Sequence, residues 1–208
     1  MTSKMIKEEI IGVINAESDS LKQLVSGLDY DTIERCVDLL CRCKENNGRV
    51  VTSGTGTSGA AAKKIAHTLS CVEIPSFFLS PADSVHGGFG VVQEGDVAVF
   101  ISKGGETAEM IKMIPAIKSK GVKLIGVTEV SDSTLATQSD IHLKVKVEKE
   151  PDPFNMLATA STMAVIAVFD AIAIALMKIT NYSKDAFLTI HPGGAVGKRL
   201  SVDVEECN

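Results

Sequence analysis

Apolar residues recur in two alternating spacings from about residue 49 onward. Short runs rich in β-branched residues have the composition of buried strands, and the stretches between them carry apolar residues three or four positions apart, as helices do. The pattern predicts strands over Arg49–Ser53, Ser76–Leu79, Val97–Ser102, Val122–Val127 and Ile141–Val147. It predicts helices over Ala60–Leu69, Ala108–Ser119, Thr134–Ser139, Leu157–Thr180 and near Ser183–Leu188.

The N-terminal part of the chain has only the helical spacing, over Ile6–Asn46. Asp31 is a candidate N-cap for a helix over Thr32–Leu40, and Asn46-Asn47-Gly48 is a stop signal. We therefore expect one domain overall, in which a helical segment over residues 1–48 packs on a larger unit over residues 49–208.

Repeated strand–helix units predict an α/β fold, a doubly wound parallel sheet with helices on both faces in three layers. Ligands of such sheets bind beyond the carboxyl ends of the strands. The loops after Ser53, Leu79, Ser102 and Val127 are therefore the places to search for a site.

Composition and charge argue against several kinds of partner. The net charge is −5, without a basic run, and aromatic residues make up 4%, so nucleic acid is not an expected partner. The apolar stretch Leu157–Thr180 could span a bilayer by length, but Asp170 lies inside it, and we predict a buried helix rather than a membrane partner. The first residues lack a signal peptide, and the five cysteines lack zinc-site spacing, which favours a cytoplasmic protein with free thiols and no metal site.

The loop Ser102–Thr107 follows a predicted buried strand and opens a helix. Gly104 and Gly105 allow the backbone to approach an anion closely, and the free amides and dipole of the helix start favour negative charge there. Ser102 and Thr107 add hydroxyl groups, and Lys103 adds a positive charge. The sequence therefore predicts a phosphate-binding loop.

A second loop joins a strand to a helix, with the sequence Ser53-Gly54-Thr55-Gly56-Thr57-Ser58-Gly59. It fits the GxGxxG dinucleotide fingerprint literally, but that fingerprint expects an acid at the end of the second strand, where Phe78-Leu79-Ser80-Pro81 stands. Nicotinamide binding is the weaker interpretation. A substrate-binding loop formed by Ser53, Gly54, Thr55, Gly56, Thr57 and Ser58 is the stronger one.

Four titratable residues lie in predicted loops or just beyond one. His86 and His191 adjoin glycine or proline, Glu150 lies in a polar loop before the long helix, and Glu109 lies one turn into the helix after Ser102–Thr107. Histidine and glutamate are the residue types that carry protons in general acid–base catalysis.

Several segments resemble the sugar isomerase (SIS) domain, and specifically the arabinose 5-phosphate isomerases. They are GTGTSG at Gly54–Gly59, PSFFLSPADSVHGG at Pro75–Gly88, ISKGGETAE at Ile101–Glu109, LIGVTEVSDSTLATQSDIHL at Leu124–Leu143, VKVEKE at Val145–Glu150 and HPGGAVGKRL at His191–Leu200. The resemblance covers roughly residues 50–200.

The resemblance implies a flavodoxin-like sandwich, a homo-oligomer of two or four chains, and interconversion of arabinose 5-phosphate and ribulose 5-phosphate. We expect no cofactor and no metal, because no metal-ligand set is evident in the sequence and enediol chemistry does not require one. Such an isomerase moves a proton between C1 and C2 through an enediol, which needs a general base and donors for the developing oxyanion. By resemblance, Glu109 or Glu150 carries the proton, and His86 and His191 serve ring opening or orientation.

The chain departs from the family pattern at three positions. The family's glycine loop reads GxGKSG, where its lysine is an active-site residue, and here Thr57 stands in that place. The phosphate loop usually reads ISNSGE, whereas this chain has Lys103 and Gly104. We hypothesise that Lys103 replaces the charge of the lysine that is missing at Thr57. The CBS domains that many members carry are not expected here. A non-catalytic sugar-phosphate binder, or an isomerase of another phosphosugar, remains the alternative.

Overall fold

The structure is a computed structural model that describes residues 2–193. Gly194–Leu200 of the C-terminal motif, Cys207 and the end of the predicted 49–208 unit therefore lie outside the described residues. The strands are β1 Val50–Gly54, β2 Ser76–Phe78, β3 Val97–Ile101, β4 Lys123–Thr128 and β5 Ile141–Lys144. The helices are α1 Ser3–Gly27, α2 Tyr30–Glu45, α3 Gly56–Ser70, α4 Pro81–Ser84, α5 Ala108–Ser119, α6 Thr134–Gln138, α7 Ala160–Ile179 and α8 Lys184–Ile190.

All five strands are parallel and lie in the order β2-β1-β3-β4-β5. The predicted doubly wound α/β fold is thereby confirmed, and the strand order is that of the flavodoxin-like sandwich that the resemblance implies. This order reverses direction between β1 and β3, and the crevice at such a switch point is where open α/β sheets bind ligands.

Each face of the sheet has its own apolar core, because neighbouring residues of a strand point to opposite faces. Val50 and Val99 pack with residues of α1, α2, α3 and α7 on one face. Val51 and Phe100 pack with residues of α5 and α6 on the other. The three layers position the loops that follow β1, β3 and β4 side by side at one edge.

The N-terminal helices begin and end at different residues from those predicted. Asp29, rather than Asp31, is the N-cap of α2, and its carboxylate accepts hydrogen bonds from the amides of Asp31 and Thr32. The prediction failed because both aspartates precede the same apolar pattern. The carboxylate two residues earlier is the one that reaches the free amides of the first turn.

Helix α7 could cross a membrane if length and composition alone are considered. Its buried residues Ala164, Phe169, Ile172 and Leu176 belong to the core beneath the sheet. Lys64 of α3 forms an ion pair with Asp170, which places the one charged residue in the middle of α7 against a neighbouring helix.

Candidate functional site

The loop after β3, Ser102–Thr107, is a tightly folded turn, and we call it the β3 loop. The hydroxyl groups of Ser102 and Thr107 lie 2.8 Å apart in a hydrogen bond. The amide of Gly105 donates to both the carbonyl and the hydroxyl oxygen of Ser102, each at 3.1 Å. The amides of Gly104, Glu106 and Thr107 have no acceptor among residues 2–193. These three donors, in the loop that leads into α5, can hold an anion.

Neighbouring elements hold the β3 loop in place. The carbonyl of Lys103 accepts hydrogen bonds from the amide of Glu129 and the hydroxyl of Thr128, at 3.0 and 2.9 Å. Glu106 binds the first residue of α6, since its carboxylate accepts hydrogen bonds from the amide and hydroxyl of Thr134 at 2.5 and 2.9 Å. The loop is thus pinned to β4 and α6, and the carboxylate of Glu106 is directed away from the free amides.

The loop after β1, Ser53–Gly59, which we call the β1 loop, brings α3 very close to the strand. A Cβ on Gly59 would lie 2.6 Å from the carbonyl oxygen of Gly54, so only glycine fits there. Ser53 is fully buried, and its hydroxyl donates to the carbonyl of Leu79 at 2.7 Å. Ser53 therefore joins the ends of β1 and β2, while Thr57 and Ser58 reach a cleft.

Two clefts flank the first turn of α3. The inner cleft, about 70 Å³, is lined by Thr57, Ser58, Lys103, Glu129, Ser161 and Thr162, among others. The outer cleft, about 750 Å³ and open to solvent, is lined by Gly54, Thr55, Lys63, Ser80, Asp83 and Glu109, among others. Both adjoin the switch point between β1 and β3.

Glu150 is buried beside the inner cleft, and four donors surround its carboxylate. Oε1 accepts from the ammonium of Lys103 at 2.6 Å and from the hydroxyl of Ser161. Oε2 accepts from the amides of Thr159 and Ser161 at 3.1 and 3.3 Å. Burial raises the pKa of this carboxyl, but the hydrogen bonds from Lys103, Ser161 and the two amides outweigh burial and lower it overall. Glu150 is therefore held as an anion.

Glu129 is a residue that sequence reasoning missed. It directly follows β4 and lines the inner cleft, with Oε1 3.9 Å from Nζ of Lys103. That oxygen is buried and has no hydrogen-bond partner among the described residues. Burial raises the pKa of Glu129, and the lowering effect of Lys103 does not fully offset it. Its position at the carboxyl end of a central strand was the available signal.

The other predicted proton carriers do not meet Glu150 within one chain. Glu109 is exposed in the first turn of α5 and lines the outer cleft. His86 is exposed in the turn after α4. His191 follows α8, where its ring stacks on Phe187 with 4.0 Å between centroids and its Nδ1 lies 3.0 Å from the Phe187 carbonyl oxygen. Neither histidine lines either cleft.

Comparison with known proteins identifies the family of this chain. Residues 45–175 match the SIS domain family model. The chain belongs to the SIS domain family. The matched residues include the β1 loop, the β3 loop, Glu129 and Glu150.

Individual relatives are similar over nearly the whole chain. A candidate sugar-phosphate isomerase from Listeria monocytogenes is 47% identical, with a TM-score of 0.90 over 93% of this chain and 100% of that structure. An Escherichia coli CFT073 protein in complex with arabinose 5-phosphate is 30% identical, with a TM-score of 0.87 over 92% of this chain and 100% of that structure. Arabinose 5-phosphate isomerase KdsD of Pseudomonas aeruginosa is 38% identical over 193 residues, which are 93% of this chain but 58% of that protein.

Proposed function

We propose that this SIS domain is an aldose–ketose isomerase that interconverts arabinose 5-phosphate and ribulose 5-phosphate through an enediol. The observation that carries the proposal is the buried anion Glu150 in ion pair with Lys103 of the β3 loop, next to unpaired amides that can hold a phosphate. Similarity to KdsD of P. aeruginosa supports the choice of sugar, although this chain spans 58% of that enzyme.

In the proposed complex the phosphate accepts hydrogen bonds from the amides of Gly104 and Thr107 in the β3 loop. The hydroxyls of Ser102 and Thr107 also bind it, after the hydrogen bond between these two hydroxyls breaks. Gly105 holds the loop's shape, and Lys103 supplies the positive charge of the inner cleft, where Thr57 contributes only a hydroxyl. From the β1 loop, Thr57 and Ser58 face the sugar. Ser53, Gly54, Thr55 and Gly56 position that loop.

We assign the proton transfer to Glu150 or Glu109, and ring opening or substrate orientation to His86 and His191. Glu150 lies beside the proposed phosphate site, which favours it over the exposed Glu109 as the base that acts at C2. Self-association as a dimer or tetramer is part of the proposal, because the histidines lie away from Glu150 in one chain and a second copy could supply them.

We also propose a cytoplasmic location. Four cysteines, Cys36, Cys41, Cys43 and Cys71, are free thiols in the structure. Burial raises the pKa of Cys36 to about 12, which leaves its thiol protonated and unreactive at neutral pH.

The test is to incubate the purified protein with arabinose 5-phosphate and to measure the formation of ribulose 5-phosphate. We expect turnover, and we expect Glu150→Gln to lower kcat by roughly 10²–10⁴-fold, the usual contribution of a general base. Glu94→Gln, an exposed carboxylate at the opposite end of β3, serves as the control.

A thermal-shift measurement on the same samples separates the enzyme from a non-catalytic binder. Ligand at 100 times its Kd stabilises a protein by about 2.7 kcal/mol. Stabilisation by arabinose 5-phosphate without any turnover would favour the binder, and the absence of both effects would refute the proposed substrate.

A further inference from the structure

The resting arrangement leaves Glu150 unable to accept a proton. A carboxylate has about four lone-pair positions, and the four donors around Glu150 fill them. Two of these donors are backbone amides at the start of α7, and the third is the hydroxyl of Ser161 on the same helix. The fourth is the ammonium of Lys103 at the end of a flexible, 39% exposed side chain. Lys103 is therefore the donor that can leave.

Glu129 is an acceptor within reach of the departing ammonium. Its Oε1 lies 3.9 Å from Nζ of Lys103, so a shift of about 1 Å would complete a charge-assisted hydrogen bond. The side chain of Glu129 is 17% exposed, which limits competition from water. The backbones of Lys103 and Glu129 are joined by the hydrogen bond from the Glu129 amide, so the two residues stay in register while Nζ moves.

We propose that Glu129 is a positioning residue that receives the Lys103 ammonium when a phosphosugar enters the cleft, which frees Oε1 of Glu150 to take the proton. The inference rests on the proposed isomerase function. Glu150 then removes the proton from C2 of the open-chain aldose; the C2–H electron pair forms the C1–C2 double bond of the enediol, and the π pair of the C1 carbonyl moves to O1. The proton returns to C1 while a hydroxyl proton moves from O2 to O1, so no oxidant or reductant is consumed.

The electrostatics of the cleft are compatible with this exchange. In the resting structure Lys103 is shared unequally, 2.6 Å from Glu150 and 3.9 Å from Glu129. Burial raises the pKa of Glu129, and the charge of Glu150 raises it further, while Lys103, a hydrogen bond from the Val147 backbone and Lys146 oppose this without reversing it. If the Lys103 ammonium moved closer, it would stabilise the charge of Glu129. This gain offsets part of the electrostatic stabilisation that Glu150 loses when the ammonium leaves it.

A crystal structure of the wild-type protein with arabinose 5-phosphate bound tests the movement directly. We expect Nζ of Lys103 within about 2.7–3.2 Å of Glu129, and Oε1 of Glu150 facing the sugar. An occupied site in which Lys103 still contacts Glu150 would overturn the inference. This result is decisive even if the protein shows no turnover, an outcome that would refute the proposed function separately.

Kinetics of Glu129→Gln give a second test. We expect kcat to fall about tenfold, because a positioning residue forfeits part of the roughly 10²–10⁴-fold gain from a general base, with KM changed less than about twofold. Glu129→Asp keeps the charge and should recover part of kcat. The matched control is Glu148→Gln, which removes the same charge from an exposed residue two positions before Glu150. Equal kcat in Glu129→Gln and Glu148→Gln would contradict the inference, and melting temperatures of all variants identify any loss of folding.

Discussion

At the residue scale, the carboxylates of the inner cleft differ in ways that only three-dimensional contacts reveal. Glu150, Ser102, Thr107 and Lys103 were identifiable from the sequence because they stand in motifs next to glycines or before a long helix. Their partners were not, since the pairing of Lys103 with Glu150 joins residues 47 positions apart. Glu129 was missed because a single glutamate after a strand has no motif.

The lowered pKa of Glu150 predicts how its contribution to stability depends on pH. A carboxyl whose native pKa lies below its ordinary value of 4.5 stabilises the fold above that value, and this contribution is lost as the pH falls through the native pKa. Glu150→Gln should therefore cost about 1–3 kcal/mol of unfolding free energy at pH 7, because buried donors lose their acceptor.

Urea denaturation of both proteins from pH 7 down to about pH 3 measures this difference. We expect the wild-type and Glu150→Gln proteins to converge in stability at the acidic end. A difference that stays constant with pH would show that packing, rather than the charge of Glu150, accounts for the loss.

At the element scale, alternation of strands and helices was sufficient to predict the parallel sheet and most of the helices that cover it. Short elements escaped prediction: α4 has four residues, and so has the 3-10 turn Gly88–Val91, too few for a periodic pattern. The junction of the β3 loop with α6 was also unpredictable, because it depends on the close approach of Gly105 to Ser133.

Gly105→Ala tests that junction. Gly105 has a φ of 71°, and a Cβ there would lie 2.1 Å from the hydroxyl oxygen of Ser133, the N-cap of α6. We expect a loss of about 1–3 kcal/mol in unfolding free energy, as for other strained backbone positions. Gly104→Ala is the matched control, since a Cβ at Gly104 meets nothing within 4 Å.

Thermal denaturation followed by circular dichroism compares the two variants. Gly104→Ala should melt close to the wild type, and Gly105→Ala clearly below it. Equal melting temperatures would mean that the loop can shift away from α6 at little cost.

At the scale of the whole molecule, large apolar side chains remain exposed on several of the described helices, and most of them lie on α1 and α7. On α1 they include Ile6, Ile10 and Ile14, and on α7 they include Ile174 and Ile179. An apolar helix face that one chain leaves uncovered is typical of an association surface. This supports the proposed self-association, and the sequence could not assign it because the same helical spacing also predicts burial within one chain.

Lysine substitution of both Ile10 and Ile14, one helical turn apart on α1, tests the association. We expect light scattering to give the wild type a mass that is a multiple of 22.0 kDa, and the double variant the mass of one chain. Val130→Lys, at an exposed valine outside the helices, controls for the added charge. An unchanged mass in the double variant would exclude this part of α1 from the interface.

The apolar character of α7 has a consequence for how the protein is made. Synthesis proceeds from the N-terminus, and domains begin to fold as they emerge. All five strands and the helices α1 to α3, against which α7 packs, precede it in the chain. The segment that most resembles a membrane anchor therefore leaves the ribosome after its binding surface has been synthesised. The order of elements shortens the time during which this helix could be diverted to a bilayer or to aggregation.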